Sequence, residues 1–344
     1  MPREIAASQM TRACILGCSG STLTAAERDF FRDARPWGFI LFARNIEAPE
    51  QVRALTSSLR EITGRAETPI LIDQEGGRVQ RMRPPHWPTY PPAAAFLRVA
   101  PGDGQKRREL ARLGARLIAA DLLRVGINVD CMPVLDAPQP GADAIIGDRA
   151  YSDEADEIAR LGRAAAEGLI AGGVLPVIKH IPGHGRATAD SHLALPVVDA
   201  PLTELRALDF LPFQANSDMP LAMTAHLVFK AIDPDRPGTQ SRAVIDLIRS
   251  EIGFDGLLMT DDLSMQALSG DFATRASLAL AAGCDVVLHC NGEMAEMEGV
   301  VAGSGELTGD AARRARSVMG RVAQCPEPFD EDEARFSFRQ AMGL

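Results

Sequence analysis

The fold of this chain is best understood from one stretch, residues 174–192. It reads Val174-Leu175-Pro176-Val177-Ile178-Lys179-His180-Ile181-Pro182-Gly183-His184-Gly185-Arg186-Ala187-Thr188-Ala189-Asp190-Ser191-His192. An apolar run without polar alternation is typical of a parallel strand buried on both faces. Pro182, Gly183 and Gly185 prevent a regular helix after it. A loop this rich in ionisable side chains, leaving a buried strand, predicts a functional site.

Seven further apolar runs of this kind divide the chain, so eight strands are predicted. Helical patterns lie between them at 50–60, 105–123, 153–171 and 274–282, and Thr24-Ala25-Ala26-Glu27 is a capping box. Eight alternations of strand and helix predict a (β/α)8 TIM-type barrel. The predicted strands are 13–17, 38–42, 69–73, 127–132, 174–179, 221–225, 256–261 and 284–289.

We expect residues 1–344 to form a single domain, because the sequence contains no internal repeat, low-complexity tract or linker. The proline-rich residues 83–92 are interpreted as a surface excursion after the third strand, and residues 326–344 as a tail packed on the exterior. An open doubly wound sheet is the alternative fold. The first strand is not followed by Gly-x-Gly-x-x-Gly, and no P-loop is present, which favours the barrel.

Composition excludes several classes of partner. The net charge is −10 and no run is rich in Lys or Arg, which argues against nucleic acid. No apolar segment approaches the roughly 18 residues of a membrane span. Six scattered cysteines indicate reduced thiols in a cytoplasmic protein rather than a disulfide framework. We expect a monomer that binds neither nucleic acid nor membrane.

Polar side chains end seven of the eight predicted strands. The carboxyl ends of barrel strands meet on one face, and that face holds the chemistry of such enzymes. Capping of the next helix explains one or two such residues, but not seven. The pattern predicts a polar cleft suited to a hydroxyl-rich ligand. The residues are Arg44-Asn45, Asp73, Asp136, Lys179-His180, His226, Asp261 and His289.

Two adjacent acids, Asp261 and Asp262, stand at the end of the seventh predicted strand, and their positions distinguish them. Side chains alternate along a strand, so Leu257, Met259 and Asp261 share one face. Asp262 falls where a turn from strand to helix commonly places a capping carboxylate. We therefore expect Asp261 to point into the cleft.

Three motifs together resemble glycoside hydrolase family 3 over residues 12–300, and within it the bacterial single-domain β-N-acetylhexosaminidases of cell-wall recycling. They occur in the order of that family, and Ile181 stands where a phenylalanine is common. The motifs are Asp73-Gln74-Glu75-Gly76-Gly77-Arg78-Val79-Gln80-Arg81, Lys179-His180-Ile181-Pro182-Gly183-His184-Gly185 with Asp190-Ser191-His192, and Thr260-Asp261-Asp262-Leu263-Ser264-Met265.

The resemblance implies a retaining exo-β-N-acetylglucosaminidase that releases N-acetylglucosamine from anhydro-muropeptides through a covalent glycosyl-aspartate. It implies Asp261 as nucleophile, His192 as acid/base and Asp190 as the partner of His192. Because this acid/base and nucleophile set is complete, and the sequence offers no plausible ligand cluster, we expect no cofactor or metal. The same resemblance implies that the sugar is bound by Asp73, Arg81, Arg149, Lys179 and His180.

The residues support this chemistry independently. A positioned acid supplies only about 10²–10⁴-fold of rate, so cleavage of an inert glycosidic bond also needs a carboxylate that stabilises or captures the oxocarbenium-like centre. Asp261 on a rigid strand suits that role. An imidazole ordinarily titrates near neutrality, so His192 can donate and then accept a proton, and Asp190 can orient it.

Other interpretations stay open at this stage. His180, His184 and His192 could bind a metal, although the intervening Pro-Gly turn breaks helical His-x3-His geometry. Lys179 could form a Schiff base in a lyase, and a sugar-binding barrel without catalysis is a third class. A β-glucosidase of the same family and a phosphorylase are also possible, since a histidine acid/base does not repel phosphate. His226 and His289 are either core residues or groups that support the site.

Overall fold

The computed structural model describes residues 11–188, 195–322 and 325–344. Its eight central strands are β1 (Arg12–Gly17), β2 (Pro36–Leu41), β3 (Ile70–Ile72), β4 (Val129–Asp130), β5 (Leu175–Ile181), β6 (Leu221–Thr224), β7 (Leu257–Asp262) and β8 (Val286–His289). They pair in parallel in chain order, and β8 closes the barrel against β1. Each strand overlaps one predicted apolar run, so the predicted TIM-type barrel is confirmed.

Helices follow the strands on the outside of the barrel. The capping box is present: Thr24 Oγ1 accepts from the Glu27 backbone, and the Glu27 carboxylate accepts from the Thr24 backbone. The four predicted helical patterns lie within α2, α4, α5 and α9, apart from two residues at the start of the third. The helices are α1 (Ala25–Ala34), α2 (Pro49–Thr63), α3 (Ala95–Val99), α4 (Gly104–Arg124), α5 (Ala155–Ala171), α6 (Leu202–Glu204), α7 (Leu211–Gln214), α8 (Arg242–Leu247), α9 (Phe272–Ala282), α10 (Met294–Gly303), α11 (Gly309–Val322) and α12 (Glu331–Met342).

The barrel interior is a separate apolar cluster from the layer between strands and helices. Leu257 and Met259 of β7 belong to the interior, whereas Leu258 packs in the outer layer. At the amino ends of the strands, Ala315 and Val318 of α11 join the interior cluster. The interior is thus closed at its amino end, and the polar strand ends lie at the other.

Two segments pack more closely than their composition indicates. Most of residues 83–92 are exposed, as expected of the surface excursion predicted from its prolines, but Trp87 and Tyr90 within it are buried. The Tyr90 ring lies against that of Phe338, which is distant in sequence, and composition does not show such a partner. In residues 326–344, α12 lies against α4, and Phe338 is 2% exposed.

Across the described ranges, no helix is long and apolar enough to cross a membrane.

Candidate active site

A cleft of about 160 Å³ lies at the carboxyl ends of the barrel strands. It is lined by side chains from β2, β5, β6, β7 and β8 and from the loops after β3 and β4. Two predicted site residues, Asp190 and His192, lie outside the described residues. The structure brings the other six to the cleft: Asp73, Arg81, Arg149, Lys179, His180 and Asp261.

A chain of five alternating charges runs along one wall of the cleft. Arg81 donates to Asp73 at 2.8 Å, and Lys179 Nζ lies 3.0 Å from the other Asp73 oxygen. Lys179 Nζ also lies 2.7 Å from Glu75 Oε1. Arg149 closes the chain with two parallel bonds of 2.8 Å to the Glu75 carboxylate. Each buried carboxylate therefore contacts two cations, which offsets its desolvation.

These contacts keep both acids and the lysine charged. Burial alone would raise the pKa of Asp73, but Lys179 and Arg81 outweigh it and hold that pKa below its usual range. Against the same burial, Lys179 and Arg149 lower the pKa of Glu75 to about 2. The pKa of Lys179 is raised, because the attraction of Asp73 and Glu75 exceeds the effect of its burial. A lysine that forms a Schiff base needs a lowered pKa, so the ion pairs of Lys179 argue against the lyase interpretation.

His180 is held by a buried acid, Asp136. Its Nδ1 lies 2.7 Å from Asp136 Oδ2, and the backbone amides of His180 and His184 donate to Asp136 Oδ1 at 3.1 and 2.7 Å. Because the carboxylate only accepts, His180 Nδ1 carries a proton and its ring is fixed. Its remaining ring nitrogen is therefore available to a ligand in the cleft.

The two adjacent acids at the end of β7 have different surroundings. Asp261 lines the cleft and is 9% exposed. Its pKa is lowered although burial acts to raise it, because His180 and His226 are close. Asp262 also reaches the cleft, but its carboxylate accepts from the Ser264 backbone at 3.0 Å, the Ser264 hydroxyl at 2.5 Å and the Cys290 backbone at 3.1 Å. Asp262 thus stabilises the loop after β7, whereas the Asp261 carboxylate is accessible to a ligand in the cleft.

The two histidines that the sequence leaves open differ in their contacts. His226 is buried, with Nε2 3.1 Å from the Asp262 carbonyl oxygen and Nδ1 2.7 Å from the Thr239 hydroxyl. It fixes the backbone beside Asp261. His289 faces Phe272, and its Nε2 is 3.4 Å from Glu296, yet neither ring nitrogen makes a hydrogen bond to a described residue. Neither ring is among the groups that line the cleft.

The start of the histidine-rich loop is anchored against the loop after β4. The carbonyls of Gly185 and Ala187 accept from Gln139 and Asp143 at 2.9 and 2.7 Å. A Cβ at Gly185 would collide with the Ala137 backbone, so only glycine fits there. The anchored segment ends just before 189–194, the stretch outside the described residues that includes Asp190 and His192.

The described residues do not form a metal site. Within 11–188, 195–322 and 325–344, no group of three or more His, Cys, Asp or Glu side chains is placed to hold an ion. The rings of His180 and His184 are 5.4 Å apart, but His180 is held by Asp136. His192, the third histidine of the alternative metal interpretation, lies outside the described residues.

Glu75 and Asp136 are the supporting residues that sequence reasoning did not assign. Glu75 stands two positions after Asp73 in the first motif, but its pairing with Arg149 spans 74 residues. The sequence identifies Asp136 only as a polar strand end. For Glu75 the available signal was its position beside Asp73, and for Asp136 its position at a strand end, but no local pattern indicates partners as distant as Arg149 and His180.

Comparison with known proteins agrees with this geometry. Residues 16–319 match the family described as "Glycosyl hydrolase family 3 N terminal domain". A protein of Methylococcus capsulatus called "Beta-hexosaminidase" is 40% identical over 79% of this chain and 80% of its own length. A protein of the same name from Pseudomonas aeruginosa is 38% identical over 82% of this chain and 83% of its own length. NagZ from Neisseria gonorrhoeae, solved in complex with N-trifluoroacetyl-D-glucosamine, superposes with a TM-score of 0.83 at 30% identity over 97% of both chains. The predicted family is confirmed: the chain is a glycoside hydrolase and belongs to glycosyl hydrolase family 3.

Proposed function

We propose that the chain is a retaining exo-β-N-acetylglucosaminidase that removes terminal N-acetyl-β-glucosamine. The observation that carries the proposal is Asp261: a carboxylate with lowered pKa in a cleft, beside groups able to bind hydroxyls. The names of the relatives, beta-hexosaminidase and NagZ, support the same sugar.

Several donors along the charged wall retain capacity for a sugar. Lys179 has three N–H groups, and the contacts to Asp73 and Glu75 use two of them. Arg81 donates to Asp73 through Nη2, and its buried Nε has no partner among the described residues. Because these donors are held in place by ion pairs, they bind hydroxyls without reorganisation. This favours a ligand with adjacent hydroxyl groups.

In the first step of the proposed mechanism, an Asp261 oxygen attacks the anomeric carbon as the bond to the leaving oxygen breaks. His192 gives its proton to that oxygen, and a glycosyl-aspartate forms. In the second step, His192 takes a proton from water, and the water oxygen attacks the anomeric carbon and releases Asp261. Asp190 orients the His192 ring throughout. The sugar leaves with its original β-configuration.

The substrate preference, the use of phosphate and the configuration of the product can be tested together. Release of nitrophenol from an N-acetyl-β-glucosaminide is compared with that from the matching β-glucoside, with and without phosphate. We expect strong preference for the N-acetyl sugar, no phosphate requirement, and β-N-acetylglucosamine as the first product in proton NMR. Preference for the glucoside would indicate a β-glucosidase, and sugar phosphate as product a phosphorylase. A first product of α-configuration would exclude the double displacement.

The role of His192 predicts a dependence on the leaving group. His192→Ala should retain formation of the glycosyl-enzyme from a nitrophenyl substrate, whose leaving group needs little protonation. Cleavage of a sugar leaving group should fall by about 10²–10⁴-fold, the range of general acid catalysis. Equal losses on both substrates would make His192 a binding residue.

We also propose that the natural substrate is an anhydro-muropeptide and that the enzyme acts in the cytoplasm during cell-wall recycling. The resemblance of the three motifs supports this, and the proposal is independent of the mechanism. Incubation with N-acetylglucosaminyl-anhydro-muropeptides, followed by mass spectrometry, should show loss of one terminal sugar. Turnover of chitobiose at equal or greater efficiency would contradict the preference.

A further inference from the structure

Arg81, a proposed sugar-binding residue, and Glu75, which pairs with Lys179 and Arg149, depend on a small hairpin. Its strands, Gln74–Gly76 and Val79–Gln80, pair in an antiparallel manner above the end of β3. A two-stranded hairpin is marginal by itself in water. Its cleft side is held by the Glu75 ion pairs described above. Its geometry therefore depends on what supports its other side.

Tyr90 supplies much of that support. The Gly77 amide donates to the Tyr90 carbonyl at 2.8 Å, and the Tyr90 amide donates to Gln80 Oε1 at 3.0 Å. A Cβ at Gly76 would collide with the Pro91 carbonyl oxygen, so hairpin and support are in direct contact. Tyr90 thus bonds to the turn and to the second strand of the hairpin.

The side chain of Tyr90 connects this support to the C-terminal helix. Its hydroxyl donates to Asp121 Oδ2 at 2.6 Å, and Arg335 of α12 donates to Asp121 Oδ1 at 2.5 Å and to the Tyr90 hydroxyl at 3.2 Å. Tyr90 is 4% exposed and Asp121 5%, so water screens this network little.

Apolar packing reinforces the same connection. Phe338 of α12 is 2% exposed, and its ring centroid lies 6.4 Å from that of Tyr90. Gly114 makes room for it, since a Cβ there would lie 3.0 Å from the Phe338 ring. Glu75, Tyr90 and Phe338 line one small buried cavity. Helix α12 therefore packs against the side of the 74–80 hairpin that faces away from the cleft.

We propose that α12 is a strut that positions Glu75 and Arg81 through Tyr90, making Tyr90, Asp121, Arg335 and Phe338 positioning residues for sugar binding. The proposal rests on the proposed function for the identity of the sugar. Loosening the strut lets Glu75 retreat from Lys179 and Arg149, which changes the directions of their remaining donors.

Two variants test the strut in the full-length protein. Tyr90→Phe removes one hydroxyl, and Phe338→Leu weakens the packing without a charge change. Both should raise KM for the nitrophenyl N-acetyl-β-glucosaminide and the inhibition constant of N-acetylglucosamine by about five- to tenfold, with kcat within about twofold, as loss of uniform binding requires. Hydrogen exchange of residues 74–81 should accelerate in both.

Two controls separate positioning from stability. Phe336→Ser alters a side chain of α12 that is 68% exposed and should behave as the parent. Val318→Ala destabilises the opposite end of the barrel and should lower Tm with unchanged KM. The strut is overturned if Tyr90→Phe and Phe338→Leu lower Tm with KM and hairpin exchange unchanged. A parent inactive on this substrate would refute the proposed function, and hairpin exchange alone would then decide for or against the strut.

Discussion

The two ends of the barrel both contain buried arginine–carboxylate contacts, yet they use them differently. At the amino end, Asp285 accepts from Arg249 at 2.7 Å, Arg314 at 3.0 Å and the Leu258 amide at 2.8 Å. At the carboxyl end, Lys179 keeps an unused N–H and Arg81 an unpaired Nε among the described residues. The amino end satisfies its charges internally, whereas the carboxyl end holds donors ready for a ligand.

The difference teaches how to separate stability from function in this fold. At the amino end, Ala315 and Val318 of α11 pack in the apolar interior cluster, and Asp285 is held between Arg249 and Arg314. At the carboxyl end, the charged wall faces an open cleft. Substitutions at the amino end should therefore affect folding alone, and those at the carboxyl end should affect sugar turnover.

Asp261→Asn should produce the largest effect. The amide cannot act as a nucleophile, so kcat/KM should fall by at least about 10⁴-fold, as for other covalent nucleophiles. The fold should persist, because Asp261 accepts one short-range bond, from the Asp262 amide at 2.8 Å. Steady-state kinetics with circular dichroism checks both expectations.

Asp262→Asn is the matched control for that loss. It disturbs the bonds to Ser264 and Cys290 and should cost about tenfold in kcat/KM, in line with about 1.4 kcal/mol per factor of ten. If Asp262→Asn were inactive and Asp261→Asn active, the assignment of the nucleophile by strand alternation would be wrong.

Lys179→Met should have the next largest effect. It leaves Asp73 and Glu75 without their shared cation, and removing one partner of a buried pair costs about 3–5 kcal/mol of stability. Loss of a preorganised donor should also lower kcat/KM by about 10²–10³-fold. Urea unfolding and kinetics at saturating and limiting substrate measure the two quantities.

Arg249→Met provides the comparison at the amino end. Asp285 keeps Arg314 and the Leu258 amide, so the loss of stability should be smaller, about 1–3 kcal/mol. Activity of the folded variant should stay within about twofold of the parent. A matching loss of kcat/KM in Arg249→Met would remove the distinction between the two ends.

The carboxyl end should also confer acid sensitivity through His184. Burial, with a smaller contribution from His180, lowers the pKa of His184 from 6.5 to about 4. Between these values the unfolded chain binds a proton that the folded chain does not, so stability falls as pH decreases from 6.5 to 4 and the penalty is complete below that. The full penalty is about 3 kcal/mol.

His184→Gln should remove this part of the pH dependence. The difference in unfolding free energy between parent and variant, measured in urea at intervals from pH 7 to pH 4, should change by about that amount. The variant keeps the backbone amide that donates to Asp136. Parallel curves for the two proteins would mean that His184 is not buried as a neutral ring.

Some of these features could be predicted from sequence, and others could not. The eight strands are readable because buried parallel strands are continuously apolar, and β7 even shows the alternation that separates Asp261 from Asp262. The 74–80 hairpin has two short strands, held by Gln74 and Gln80 side chains that bond to backbone. Such contacts leave no periodic pattern in a sequence.

Long-range partners are the second kind of feature that escaped prediction. Tyr90 is buried because Phe338 and Arg335 arrive from the far end of the chain. Glu75 matters because Arg149 follows on a different loop. Asp190 and His192, by contrast, are predicted from the sequence motif alone, and their roles stay predictions. Local sequence patterns indicate strands and helices, whereas side-chain contacts between distant segments are seen only in the folded structure.

The central claim is that Asp261 becomes covalently bonded to the sugar, and trapping that intermediate tests it most directly. His192→Ala slows the second step more than the first when the leaving group is good, so a nitrophenyl N-acetyl-β-glucosaminide should load the variant. Intact-protein mass spectrometry should show one added N-acetylglucosaminyl group, and peptide mapping should place it on Asp261. Its appearance on another residue, or burst kinetics without any adduct on the 257–262 strand, would contradict the account.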